Sequence, residues 1–96
     1  MCGIAGEICI DGGTASAERV RKMTDLQRQR GPDDGGIVDL GRVVFGHRRL
    51  KIVDLSDAAA QPMTDKGTGC CIVFNGCIYN HNELRDELMS LGHAFF

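Results

Sequence analysis

Apolar and β-branched residues crowd the start of the chain. Ile4, Ala5, Ile8, Cys9 and Ile10 precede Asp11-Gly12-Gly13, so residues 2–10 predict a strand followed by a turn. A strand at that position would hold the first residues inside the fold instead of letting them fray. Ser16 suits a helix N-cap, and Val20, Met23 and Leu26 form an apolar stripe on a helix running to about Gln29, with Arg19, Arg21, Lys22 and Arg28 outside. Residues 30–36, Arg-Gly-Pro-Asp-Asp-Gly-Gly, are a loop rich in breakers. Residues 37–40 and 43–47 predict a hairpin around Gly41, and residues 50–55 alternate as another short strand would. Gln61-Pro62 excludes regular helix from the loop at 56–63, residues 64–69 read as a second turn, and residues 70–75 as an apolar strand. Asn80 then suits an N-cap with Glu83 three residues on, Leu84, Leu88 and Leu91 form a helical stripe, and Gly92 suits the C-terminal end.

Ala94-Phe95-Phe96 open a further apolar strand whose partner is not in the sequence. The chain is therefore expected to be the leading part, residues 1–96, of a larger domain. No linker or repeat divides it.

Composition narrows the classes. The 96 residues are 43% hydrophobic and 25% charged, as in a small globular domain and unlike a disordered chain. Eleven basic and thirteen acidic residues leave a net charge of -2. Arg48, Arg49 and Lys51 are followed by Asp54 and Asp57, so the broad basic face of a nucleic-acid binder is missing. No stretch approaches the roughly 20 apolar residues of a membrane span, and no export signal opens the chain. A cytoplasmic protein without nucleic-acid or membrane partners is expected. The five cysteines are odd in number and include the adjacent pair Cys70-Cys71, which argues against a disulfide framework. Cys9, Cys70 and Cys71 read as small buried hydrophobes in strands. No Cys-x-x-Cys or paired-His spacing supports a thiol-ligated metal module.

Cys2 carries the sharpest chemical possibility. An aminopeptidase removes an initiator Met before a small residue, and the mature chain would then begin with a thiol and a free α-amine on one residue. That amine titrates near neutral pH and can serve the thiol as general base. A cysteine at position 2 says little by itself, because cysteine is often simply buried. Four stretches in order add to it: Met1-Cys2-Gly3-Ile4-Ala5-Gly6, Arg30-Gly31-Pro32-Asp33, the run from Gly46 to Asp54, and Asn75-Gly76-Cys77-Ile78-Tyr79-Asn80.

The set MCGIAG, RGPDDGG, GHRRLKIVDLS, QPM and FNGCIYNHNELR resembles the class II glutamine amidotransferases, in the asparagine synthetase branch, over nearly the whole chain. Within that branch, FNGCIYN with GHRRLKI upstream is most similar to N-acetylglutaminylglutamine amidotransferases. The resemblance implies an α+β fold, the four-layer αββα sandwich of antiparallel sheets found in N-terminal-nucleophile enzymes, here incomplete. It implies that Cys2 attacks the side-chain amide of L-glutamine to form a thioester. Asn75 and the Gly76 backbone would form the oxyanion hole, and Arg49 would pair with the substrate α-carboxylate through its planar fork. The backbones of Ile52 and Val53 would line the same pocket.

The branch usually has Glu where Cys77 stands, so Cys77 could contribute only its backbone toward the substrate ammonium. A glutamine-binding Asp is expected beyond Phe96. Ammonia would pass to an asparagine synthetase-like domain or subunit, and ATP and magnesium belong to that part, with no cofactor in this chain. Lys66-Gly67-Thr68 lacks the glycine spacing of a phosphate loop. The alternative is a catalytically inactive piece acting only as a binding or interaction module. His47 is read as a satisfied histidine without chemistry.

Overall fold

The computed structural model describes residues 2–51 and 59–95. The expected strand at 50–55, the glutamine-pocket positions Ile52 and Val53, and Phe96 lie largely or wholly outside them. Among the described residues the elements in order are β1 (Gly3–Ile8), α1 (Ala17–Asp25), β2 (Asp34–Asp39), β3 (Val43–Arg49), β4 (Met63–Thr64), β5 (Cys71–Ile72) and α2 (His81–Ser90). β3 is the middle of an antiparallel three-stranded sheet ordered β1-β3-β2, and β4 and β5 form a second antiparallel pair. The class is α+β, with two helices and two small antiparallel sheets in an incomplete αββα arrangement.

Register decides which side chains share a face. Gly3, Ala5 and Glu7 pair with Arg48, Gly46 and Val44, while Gly35 and Ile37 pair with Arg48 and Gly46. Because successive side chains alternate, these residues line one face. α1 packs on that face. Its buried line is Val20 and Thr24, at 0% and 4% exposure, and not the expected Val20, Met23 and Leu26. The reason is a close approach at Gly46, where an added Cβ would stand 2.0 Å from the Thr24 hydroxyl oxygen. That hydroxyl donates to the Val20 carbonyl at 2.7 Å, so a polar residue sits in the contact with its polarity satisfied. Leu26 is already past the helix body. The backbone then tightens through bonds such as Gln27 N–H to Thr24 O and Arg30 N–H to Gln27 O, which ends α1 four residues earlier than expected. Val20 and Val44 with Ala15 make the small core.

The N-terminus of α1 is tied to β1. The Ser16 side chain accepts from Arg19 N–H at 3.2 Å, as an N-cap does. Glu7 from β1 accepts the Ser16 backbone N–H at 2.5 Å and pairs with the Arg19 guanidinium at 2.7 Å. The Ser16 N–H first, and Arg19 next, hold the Glu7 carboxyl below its ordinary value.

The opposite face carries Ile4, Gly36, Phe45, His47 and Arg49, as the alternation requires. The chain around Gln61, Pro62 and Phe74 covers part of it. An added Cβ at Gly36 would stand 2.4 Å from the Gln61 carbonyl oxygen, and Phe74 N–H donates to Gln61 Oε1 at 2.6 Å. The expected hairpin is present, with Gly41 at φ 84 in its turn.

Three expectations need correction. The strand at 70–75 shrinks to the two residues of β5. Cys70 is exposed, and Cys9 and Cys71 are only half-buried, so none of them is a core hydrophobe. The Cys9 thiol instead donates to Asp11 Oδ1 at 2.8 Å. α2 ends at a left-handed Gly92 with φ 94, as expected, but Asn80 makes no side-chain cap bond and no residue of the helix is buried. The Leu84, Leu88 and Leu91 stripe is real as a pattern, yet nothing among the described residues covers it.

The breaker loop after α1 is fastened to the end of β3. Arg48 Nε donates to the Gly31 carbonyl at 2.8 Å, and Asp33 N–H donates to the Arg49 carbonyl at 3.0 Å. Lys51 N–H donates to Asp33 Oδ2 at 2.7 Å. A Cβ at Gly31 would lie 2.3–2.5 Å from the Arg48 carbonyl group and the Arg49 nitrogen, which are backbone and cannot swing aside. Gly31→Ala is expected to destabilise the fold by about 1–3 kcal/mol, read from urea unfolding. Gly67→Ala, whose added Cβ stays 3.6 Å from Asp65, is the control expected to change little. Equal midpoints for the two variants would contradict the close approach.

Candidate functional site

Cys2 immediately precedes β1, whose first residue, Gly3, faces α1 and pairs with Arg48 of β3. Its sulfur is held by Leu50, the residue after β3. Leu50 N–H points at Cys2 Sγ from 3.4 Å, and the thiol reaches toward the Leu50 carbonyl at 3.9 Å. Arg30 Nε lies 3.5 Å from the Cys2 carbonyl oxygen. The loop that fixes Arg49 and Lys51 therefore also fixes the partner of the sulfur.

A cleft of about 330 Å³ opens beside the sulfur, lined by Cys2, Gly3, Ile4, Gln27, Arg30 and Asn75. It is large enough to admit a small amino-acid side chain. The structure thus brings Cys2 and Asn75, 73 positions apart in sequence, to one cavity wall. Asn75 arrives there from the segment after β5, whose Phe74 is held through its N–H by Gln61. Arg49 is 5% exposed, on the face of the sheet turned away from α1. It is not among the residues that line the cleft.

Gly76 and Cys77 are exposed and do not line the cleft. An added Cβ at Gly76 would stand 2.7 Å from the Phe74 ring, so the segment turns tightly at that point. Ile52 and Val53 lie outside the described residues.

Arg30, Gln27 and the Leu50 backbone were not assigned a place from the sequence. The Arg30-Gly31-Pro32-Asp33 stretch stood out as a stiff loop, which was the available signal for Arg30. Gln27 and Leu50 carried none, because their positions depend on where α1 ends and how β3 leaves the sheet. Gln27 Nε2 donates to the Ile4 carbonyl at 3.0 Å and closes the cleft from the helix side.

Lys66-Gly67-Thr68 is a turn between β4 and β5. Asp65 Oδ1 accepts Gly67 N–H at 3.1 Å and Oδ2 accepts the Thr68 hydroxyl at 2.8 Å. Those bonds, Thr68 first, hold the Asp65 carboxyl below its ordinary value. A carboxylate sits where a phosphate loop would offer free N–H groups. Among the described residues no three His, Cys, Asp or Glu side chains gather as metal ligands.

The whole chain, residues 1–96, matches the model of a glutamine amidotransferase domain family. It is 40% identical over 98 residues to asparagine synthetase [glutamine-hydrolyzing] 3 of Bacillus subtilis, covering 99% of this chain and 16% of that protein. It is 39% identical over 96 residues to asparagine synthetase [glutamine-hydrolyzing] of Brassica oleracea, with coverage of 99% and 16%. It is 37% identical over 101 residues to amidase chyE of Penicillium rubens, with coverage of 94% and 15%. The chain spans about one sixth of the length of these curated relatives.

Proposed function

This chain belongs to the glutamine amidotransferase domain family, homologous to the glutamine-hydrolysing domains of asparagine synthetases, and on that premise we propose that Cys2 is its nucleophile. The sulfur attacks the side-chain amide carbon of glutamine, and the carbonyl oxygen becomes an oxyanion. The C–N bond then breaks, leaving a γ-glutamyl thioester. The α-amine of Cys2, freed by removal of Met1, takes the thiol proton and delivers it to the departing ammonia. Water hydrolyses the thioester to glutamate and returns the thiol.

Asn75 donates its side-chain amide to the oxyanion, and the Gly76 N–H is the second donor. Arg49 holds the substrate α-carboxylate, with the backbones of Ile52, Val53 and Cys77 completing the glutamine site. The observation that carries this reading is the shared cleft of Cys2 and Asn75 beside a sulfur already oriented by Leu50 N–H.

The whole protein would pass the ammonia to an ATP-activated carboxylate in a synthetase domain or subunit. Within the family, FNGCIYN with GHRRLKI upstream supports a likeness to the N-acetylglutaminylglutamine amidotransferases.

Labelling tests the nucleophile directly. A glutamine-mimicking diazoketone, incubated with the protein that carries this chain, is expected to leave one adduct, mapped by peptide mass spectrometry to Cys2. An adduct on Cys9, Cys70, Cys71 or Cys77 that persists in Cys2→Ala would remove Cys2 from the role.

A further inference from the structure

Three polar residues are buried among those described: Thr24, His47 and Arg49. Thr24 spends its hydroxyl on the Val20 carbonyl, and Arg49 is the residue proposed above for the substrate carboxylate. His47 remains. It is 1% exposed, in β3, on the same face as Ile4 and Arg49. Neither Nδ1 nor Nε2 completes a hydrogen bond among the described residues, which is costly for a buried ring and so asks for an explanation. The sequence reading of a satisfied histidine therefore does not hold in this arrangement.

The surroundings supply one. The backbone group facing the ring is that of Phe74, the residue before Asn75. It favours the protonated ring, so it presents its carbonyl acceptor. The charged groups around His47 are Arg49 from its own strand, which opposes a proton there, and Asp34 from β2, which favours one. From β1 comes Cys2 at its entrance, while the Glu7 carboxylate sits on the far face with Arg19 of α1. The α1 side chains Arg21 and Asp25, and Arg48 of β3, line a cleft on that far face as well. Burial outweighs all of these and holds the ring below its ordinary value of 6.5, neutral at physiological pH.

We propose that His47 is a positioning residue for residues 74–76: its neutral ring donates to the Phe74 carbonyl when glutamine is bound, and so sets the Asn75 amide against the oxyanion formed at Cys2. The proposal rests on Cys2 and Asn75 having the roles given above. Catalytic hydrogen bonds that are open in a free enzyme commonly close on substrate, which fits a ring poised beside its acceptor. A second proton on His47 puts a buried cation beneath this segment and beside Arg49. The segment must then shift to let water in, and the donor leaves the oxyanion.

The test combines spectroscopy and kinetics on the protein that carries this chain. The His47 ring and the Asn75 side-chain amide are followed by NMR from about pH 8 to pH 5. The Asn75 and Phe74 resonances are expected to move with the His47 midpoint, below 6.5, and to stop moving in His47→Gln. Gln keeps a donor but cannot take the proton. In glutamine hydrolysis, His47→Gln is expected to stay within about threefold of wild type at high pH and to lose the corresponding acid limb of kcat. His47→Phe fills the space without a donor and is expected to lower kcat about tenfold, with KM changed less. Asn75 resonances that stay still while His47 titrates, or an acid limb unchanged in His47→Gln, would overturn the proposal. Absent ammonia release from wild type would count against the amidotransferase chemistry instead, and the NMR titration would still decide whether His47 governs this segment.

Discussion

Replacing Cys2 by alanine is expected to lower glutamine hydrolysis by the protein that carries this chain on the order of 10⁴–10⁶-fold. The magnitude follows from what is removed. Without the sulfur no thioester forms, and water would have to attack an unactivated amide with only binding and the oxyanion donors to help. The surroundings of the sulfur should survive the change, since Gly3 to Ile8 remain paired with β3 and the Leu50 N–H that pointed at Sγ from 3.4 Å can turn to water. Glutamine binding should therefore persist while turnover disappears, measurable as a small change in ligand affinity beside a large loss of kcat. Protein that retains Met1, identified by intact mass, should lose nearly as much, because the nitrogen that moves the proton is then locked in a peptide bond. Turnover in Cys2→Ala above about one hundredth of wild type would contradict this chemistry.

Asn75→Ala is expected to reduce kcat about 10²–10³-fold, equivalent to ~2.7–4 kcal/mol of transition-state stabilisation. Asn75 is exposed and lines the cleft with Cys2, and no hydrogen bond of its side chain helps hold the fold among the described residues. Its truncation should leave the unfolding midpoint within about 0.5 kcal/mol of wild type. The loss should fall on kcat and kcat/KM alike, because the donor acts on charge that exists only after attack. A rise in KM at constant kcat would place Asn75 in substrate binding and not at the oxyanion.

Local physics made much of the fold legible in advance. The β1 strand, the Gly41 hairpin, the Ser16 cap and the Gly92 helix end each depend on residues next to one another, and each is where the pattern placed it. The misplacements are tertiary. Met23 and Leu26 were expected inside on periodicity, but the close approach of α1 at Gly46 selects Thr24, a residue no apolar pattern would choose. The stripe on α2 was legible, but whether it is covered depends on chain elsewhere, and among the described residues it is not. Cys9 seemed core-like by type, and it is only half-buried because it lies past the end of β1, beside Asp11.

The residue types of the site were set by the sequence alone: a cysteine at position 2, an arginine in Gly-His-Arg-Arg, an asparagine before Gly76. Motifs report chemistry, because the roles proposed for these residues, a nucleophile, a carboxylate clamp and an amide donor, each need a particular side chain. Only the tertiary structure decided that Arg49 and His47 share one face of the sheet, that Leu50 N–H orients the Cys2 sulfur, and that Asn75 lines one cleft with Cys2. Those facts come from strand register and from a loop pinned through Gly31 and Asp33. They are sums of long-range contacts, and no local stretch of the chain contains them.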